Sequence, residues 1–237
     1  SPGPRERHGM VYSRATDRVT VFGGDRFVGY DCCSPLYGMC DRTTWELAFS
    51  PEPHWVARAT APADSVPAAS TACTFVADPE GDFAWYLPGE QAGGDDPGAW
   101  RIDLRTSAWS RIAPLGERPT TRVLAGACFD PVRRALLVQG GGAPKNYTNP
   151  VNVWSITDPY PDRMPWGWAL STRGAGVWSQ LVDAPRLAYE HIHFDAPLHR
   201  LYHWSVRGLS SCDASTGDWS REIDTGIPVV GDRTYVS

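Results

Sequence analysis

No stretch of the chain sustains a 3.6-residue apolar period with caps. Short runs of β-formers recur instead between Gly, Pro and Asp turn signals. Four segments share one plan of strand, tight turn and strand: His8 to Gly24, Thr74 to Gly89, Gly126 to Gly141 and His191 to Val206. Aligned on the turn, Ser13, Asp78, Asp130 and Asp195 coincide. The Asp-Pro pairs at Asp78 and Asp130 suit a type I turn, in which the carboxylate bonds the following backbone and proline presets φ. Val19, Ala84, Leu136 and Leu201 then share one register, with Val21, Tyr86, Val138 and His203 two residues on. The first and third copies end in Gly-Gly, the second in Pro-Gly, and the fourth, with Ser205 and Val206, is degenerate.

A second signature follows. Asp103, Thr106, Ser107 and Trp109 share the form D-x-x-T-[SG]-x-W with Asp213, Thr216, Gly217 and Trp219. It reads as a third strand, a hairpin, and a fourth strand opened by Trp. The other copies keep Trp elements, Trp45 with Trp55 and Trp154 with Trp178. Each unit therefore offers four short antiparallel strands, and stacking such units buries what one sheet leaves exposed. The expectation is an all-β single domain over residues 1–237, with units near 4–57, 70–112, 122–182 and 188–222. Residues 230–237 open a further unit, since Tyr235, Val236 and Ser237 can be laid on Val11, Tyr12 and Ser13.

A paired glycine after the second strand, then two Trp-led strands, resembles the kelch repeat. The N-terminal copy carries it best, in Arg7, His8, Gly9, the run Val19 to Gly24, and Trp45. The resemblance implies a β-propeller of four-stranded antiparallel blades, here about four plus the first strand of a fifth. Kelch-like rings are usually larger, which implies a piece of a longer propeller; a compact four- or five-bladed ring is the alternative. Ser1 in place of Met points the same way, to a processed product or a fragment. Propellers host many unrelated activities, so the likeness speaks to fold more than function.

Composition narrows the partners. The 23 glycines, 21 prolines and 11 tryptophans fit short elements with aromatic packing between sheets. A net charge of −5 gives no electrostatic reason for nucleic acid. No apolar run approaches the roughly 18–20 residues of a membrane-spanning helix, so membrane insertion is not expected.

Loops after the second strand share one rim with the links between units. Residues 25–43, 90–98 and 142–152 lie there and offer Arg26, Tyr30, Asp31, Tyr37, Arg42, Glu90, Asp95, Asp96, Asn146 and Tyr147 for binding. An insertion from Asp158 to Gly176, read as joining the third and fourth strands of the third copy, places Trp166 and Trp168 on the opposite rim. His191 and His193 sit two apart on a strand and point to one face, a weak metal motif. His203, by contrast, occupies a repeated packing slot.

Cys73, Cys128 and Cys212 read as buried hydrophobes. A disulfide from Cys40 to Cys32 or Cys33 would brace the first rim loop and imply an oxidising compartment. With the glycosylation-type Asn146, Tyr147, Thr148 sequence, this leans toward an extracellular or periplasmic location, with the cytoplasm as alternative. Hydrolase-elbow, zinc-protease and phosphate-loop motifs are missing. The expected function is a non-enzymatic module that binds a protein or glycan through rim loops, without a cofactor. One alternative is a carbohydrate-active enzyme resembling kelch-type copper oxidases, a family whose Tyr, His and Tyr–Cys site does not map residue by residue onto this chain. Another is a structural subunit of a larger assembly.

Overall fold

The computed structural model describes residues 1–31, 34–39, 42–58, 65–89, 98–116, 125–139, 167–173, 176–181, 191–205, 208–214, 216 and 219–224. These residues are all-β, without an α-helix. They form four antiparallel four-stranded sheets and one two-stranded hairpin.

The first sheet contains β1 (Gly9–Ser13), β2 (Arg18–Phe22), β5 (Trp45–Ala48) and β6 (His54–Ala57), with β3 (Asp25–Asp31) and β4 (Ser34–Met39) forming the separate hairpin. The second runs through β7 (Thr74–Ala77), β8 (Phe83–Leu87), β9 (Ala99–Asp103) and β10 (Trp109–Ile112). The third has β11 (Gly126–Asp130), β12 (Ala135–Gln139), β13 (Gly167–Ser171) and β14 (Trp178–Leu181). The fourth has β15 (His191–Asp195), β16 (Arg200–Ser205), β17 (Gly208–Asp213) and β18 (Trp219–Asp224).

The turns explain why each opening hairpin forms. At the end of each first strand a side-chain oxygen accepts from the turn backbone. Ser13 Oγ takes Thr16 N at 3.3 Å, Asp78 Oδ1 takes Glu80 N at 3.0 Å, and Asp195 Oδ1 takes Leu198 N at 3.1 Å. Asp130 Oδ1 holds both Val132 N (2.9 Å) and Arg133 N (3.0 Å). These are the four positions the alignment superposes, and they close the turn with local bonds that need no tertiary partner. Asp103 does the same for the third-to-fourth strand hairpin, accepting Arg105 N and Thr106 N at 2.9 Å each.

Consecutive sheets stack face to face. Val11 and Phe22 of the first pack on Ala84, Ile102, Tyr86 and Trp100 of the second. Trp85 and Ala99 then meet Phe129, Leu136, Val138 and Trp178 of the third. Cys128, Ala135 and Leu137 meet Phe194, Leu201 and Cys212 of the fourth. The opening strands follow in order, β1 against β7, β7 against β11, and β11 against β15. A strand between two neighbours is therefore covered on both sides, and all of β12 (ALLVQ) is buried. Each fully buried Leu-sized side chain contributes roughly 1.5–3 kcal/mol.

Polar bridges accompany the stacking. Arg134, just before β12, grips the buried Asp78 of the preceding sheet through both guanidinium nitrogens, with Nη1 3.0 Å from Oδ1.

One expectation is corrected. The third strand of the third sheet is β13, in register with β12 through Val138↔Trp168 and with β14 through Trp168↔Gln180. Trp168 is thus a strand residue, not part of an insertion between third and fourth strands. The connection between β12 and β13, residues 140–166, lies outside the described residues. Trp154 and residues 230–237 lie outside the described residues.

Candidate functional site

The best-defined part of the rim lies where β2 ends. Gly23 and Gly24 adopt φ of 69° and 87°. A Cβ at Gly24 would stand 2.7 Å from the Glu6 carbonyl oxygen and 2.7 Å from His8 Cβ, so only glycine fits. This close approach gives the paired glycine its physical reason. Gly89 repeats it in the second sheet, where a Cβ would meet Thr71 O at 2.3 Å.

Three segments converge here. Gly24 N donates to Ser70 O at 2.8 Å, Ala72 N donates to Arg7 O at 2.9 Å, and Glu6 and Asp25 exchange backbone bonds of 2.9 and 3.1 Å. The buried Asp25 carboxylate accepts from the Arg7 guanidinium and from Thr71 Oγ1 at 3.3 Å. Arg5 Nη1 adds a bond to Gly23 O at 3.1 Å. Burial, aided by the Arg5 charge, pushes the half-buried His8 imidazole below its ordinary range.

Asp25 is also the first residue of β3, so this ionic knot fixes the base of an antiparallel hairpin. The sequence reading treats 25–43 as a loop; β3 and β4 pair from Asp25↔Met39 to Asp31↔Ser34, with a bulge between Phe27 and Gly29. The ladder places Tyr30 opposite Pro35, and Phe27 opposite Tyr37. Four candidate binding residues, Arg26, Tyr30, Asp31 and Tyr37, thereby share one element, and Arg26 is exposed. Arg42 is half-buried just before β5. Glu90, Asp95, Asp96, Asn146, Tyr147, Trp166, Cys32, Cys33 and Cys40 lie outside the described residues.

Beneath the knot, Ser70 Oγ lies 2.5 Å from Tyr86 OH and accepts Gly89 N at 3.0 Å. Burial pushes the Cys73 thiol up to about 12 and the Tyr86 hydroxyl well above its usual range. Both stay neutral at physiological pH, so this is hydrogen-bonded filler rather than a nucleophile. Burial likewise raises the Cys128 thiol.

A second polar cluster, which the sequence reading missed, joins the first two sheets. Glu46 on β5 is 1% exposed and accepts from Arg18 Nη1 (2.9 Å), Arg58 Nη2 (2.6 Å) and Ser107 Oγ. Trp109 Nε1 donates to Thr44 Oγ1 nearby at 2.9 Å. Burial alone would raise the Glu46 carboxyl, but the bonds from Arg58, Ser107 and Arg18 outweigh it and hold it below the usual range. A lone Glu between Trp45 and Leu47 was the available signal, and it reads equally well as a solvent-facing strand residue.

His191 and His193 both lie on β15, and His193 is exposed. His203 is fully buried, its imidazole pushed down by desolvation. Among the described residues no three His, Cys, Asp or Glu side chains group as metal ligands. No protein-family model matches the chain, and no curated protein matches it.

Proposed function

We propose that the stacked sheets are blades of a kelch-like β-propeller, and that the chain is a binding module presenting the β3–β4 hairpin to a protein or glycan. The in-order packing of β1, β7, β11 and β15 supports blades arranged about a common axis, with each opening strand innermost. The observation that carries the binding role is the hairpin itself. It stands outside the four-stranded plan, yet Arg7, Asp25 and Thr71 pin its base to two separate segments. A rigid foot under an added element lowers the ordering cost of binding. The hairpin's Arg and Tyr content suits a protein surface or a sugar. In this reading Cys40 pairs with Cys32 or Cys33 outside the cell.

The test immobilises the chain and its Tyr30→Ala/Tyr37→Ala variant against a glycan array and a panel of extracellular proteins. The wild type should select ligands that the variant binds at least about tenfold more weakly, with near-UV circular dichroism unchanged. Equal affinity in the two proteins would remove the hairpin from the binding role.

A further inference from the structure

Two junctions between sheets share one plan at the turn that follows the first strand. Arg134 and His199 hold the same position, the residue before the second strand, and both take left-handed backbone with φ of 55° and 49°. Each carbonyl accepts a backbone N–H from the end of the third strand, Thr172 N at 2.9 Å and Ala214 N at 3.0 Å. Each side chain lies against the phenylalanine that precedes its own turn aspartate. The Arg134 guanidinium is 5.1 Å from the centre of the Phe129 ring, and the His199 imidazole 5.6 Å from that of Phe194. From there Arg134 reaches the turn aspartate of the preceding sheet, Asp78, and bonds both of its oxygens. The same path from His199 leads to Asp130. Phe194 packs in one cluster with Cys128, and the Asp130 charge acts on that thiol.

The two aspartates differ in what they receive. Asp130 is fully buried, and its Oδ1 is committed to Val132 N and Arg133 N. Its Oδ2 has no hydrogen-bond partner, and the Arg133 guanidinium stands 4.0 Å off. A buried carboxylate oxygen left in this way is costly, and a charged donor relieves it. Imidazole is shorter than the arginine side chain by the guanidinium fork, and it carries charge only when protonated. Histidine is the side chain whose charge changes between pH 5 and 8.

The other charged and titratable groups around this junction are already engaged. From the third sheet come Arg133 and the Cys128 thiol, which burial keeps neutral. On the fourth, Asp195 Oδ1 accepts Leu198 N, Asp213 Oδ1 accepts Thr216 N, and Arg200 donates to Ser211 and Ser220. Burial favours the neutral imidazole of His203 farther along β16.

We infer that His199 is a pH-operated latch, its protonated imidazole closing on the buried Asp130 carboxylate as Arg134 closes permanently on Asp78. The bond draws the opening turn of the fourth sheet onto the third. The charged imidazole meets this carboxylate only in the folded chain, so the clamp is present at low pH and is lost as pH rises and the ring loses its proton. It does not depend on the hairpin's binding role.

Proton NMR of the imidazole rings and native-state hydrogen exchange test it in the full chain, in Asp130→Asn and in His199→Arg. Asparagine keeps the Oδ1 acceptor of the turn and removes the charge. The His199 signal, assigned by its loss in His199→Arg, should titrate at higher pH in the wild type than in Asp130→Asn. At pH 5.5 the wild type should protect the β15 and β16 amides at least about tenfold more than Asp130→Asn does, and at pH 8 that excess should vanish. His199→Arg should keep the junction protected at both pH values, as Arg134 does at the junction before it. Equal His199 titration in the wild type and Asp130→Asn overturns the inference. So does a His199→Arg chain no better protected at pH 8 than the wild type, a comparison that stands even where Asp130→Asn does not fold.

Discussion

Replacing Glu46 by alanine should loosen the junction between the first two sheets. The carboxylate is buried and held by two arginines whose side chains are each 34% exposed. Removing one partner from a fully buried ion pair costs about 3–5 kcal/mol. Here the arginines can turn to water, so the expected loss is roughly 2–4 kcal/mol, discounted for that exposure. The Ser107 bond is the part that crosses between sheets, and a hydrogen bond to a charged group contributes about 1.5–3 kcal/mol. A double-mutant cycle of Glu46→Gln with Ser107→Ala, read by urea unfolding on tryptophan fluorescence, isolates that coupling. The carboxyl is held below its ordinary range, so its stabilisation is complete above the unfolded value and fades as pH falls through the folded one. The wild type should therefore lose more stability than Glu46→Gln below about pH 4. A coupling below about 0.5 kcal/mol, with no difference in acid sensitivity, would refute the reasoning.

Two further outcomes follow from the core. His203 fills a buried slot held by Val21 and Val138 in other sheets, and desolvation lowers its imidazole. On acidification the unfolded chain takes up this proton first, so stability falls as pH drops below about 6.5; His203→Val should flatten that limb in pH-dependent urea titrations. Leu136 is fully buried among Trp85, Phe129, Val138 and Trp178, so Leu136→Ala should cost about 2–5 kcal/mol by the same unfolding assay.

Local chemistry was legible along the chain because it acts over a few residues. The turn oxygens of Ser13, Asp78, Asp130 and Asp195 bond backbone two or three positions on, so their spacing alone announced each hairpin. The register of Val19 and Val21 with their equivalents followed from the period of a strand. The Asp103 hairpin was readable for the same reason. Of the candidate binding residues, Arg26, Tyr30, Asp31 and Tyr37 lie on backbone that was read as loop and is a strand pair. The β3–β4 ladder satisfies its own bonds and gives no signal that an extended loop lacks until its partners meet.

Tertiary structure decided the rest, since the deciding contacts join residues far apart in sequence. Whether Glu46 points to water or to Arg18, Arg58 and Ser107 depends on the second sheet covering that face. Asp25 becomes an anchor only when Arg7 and Thr71 arrive from different segments. The third-strand assignment turned on which run pairs with β12, a choice between equally apolar candidates that only register resolves. The sequence by itself determined the all-β class and the repeated hairpins, while the close backbone approach that requires Gly24 and Gly89 came with the fold. Which residues of each sheet are covered, Val11 and Val21 buried while Met10 and Tyr12 stay exposed, was settled by packing, because burial belongs to surfaces that meet and is not written in one strand alone.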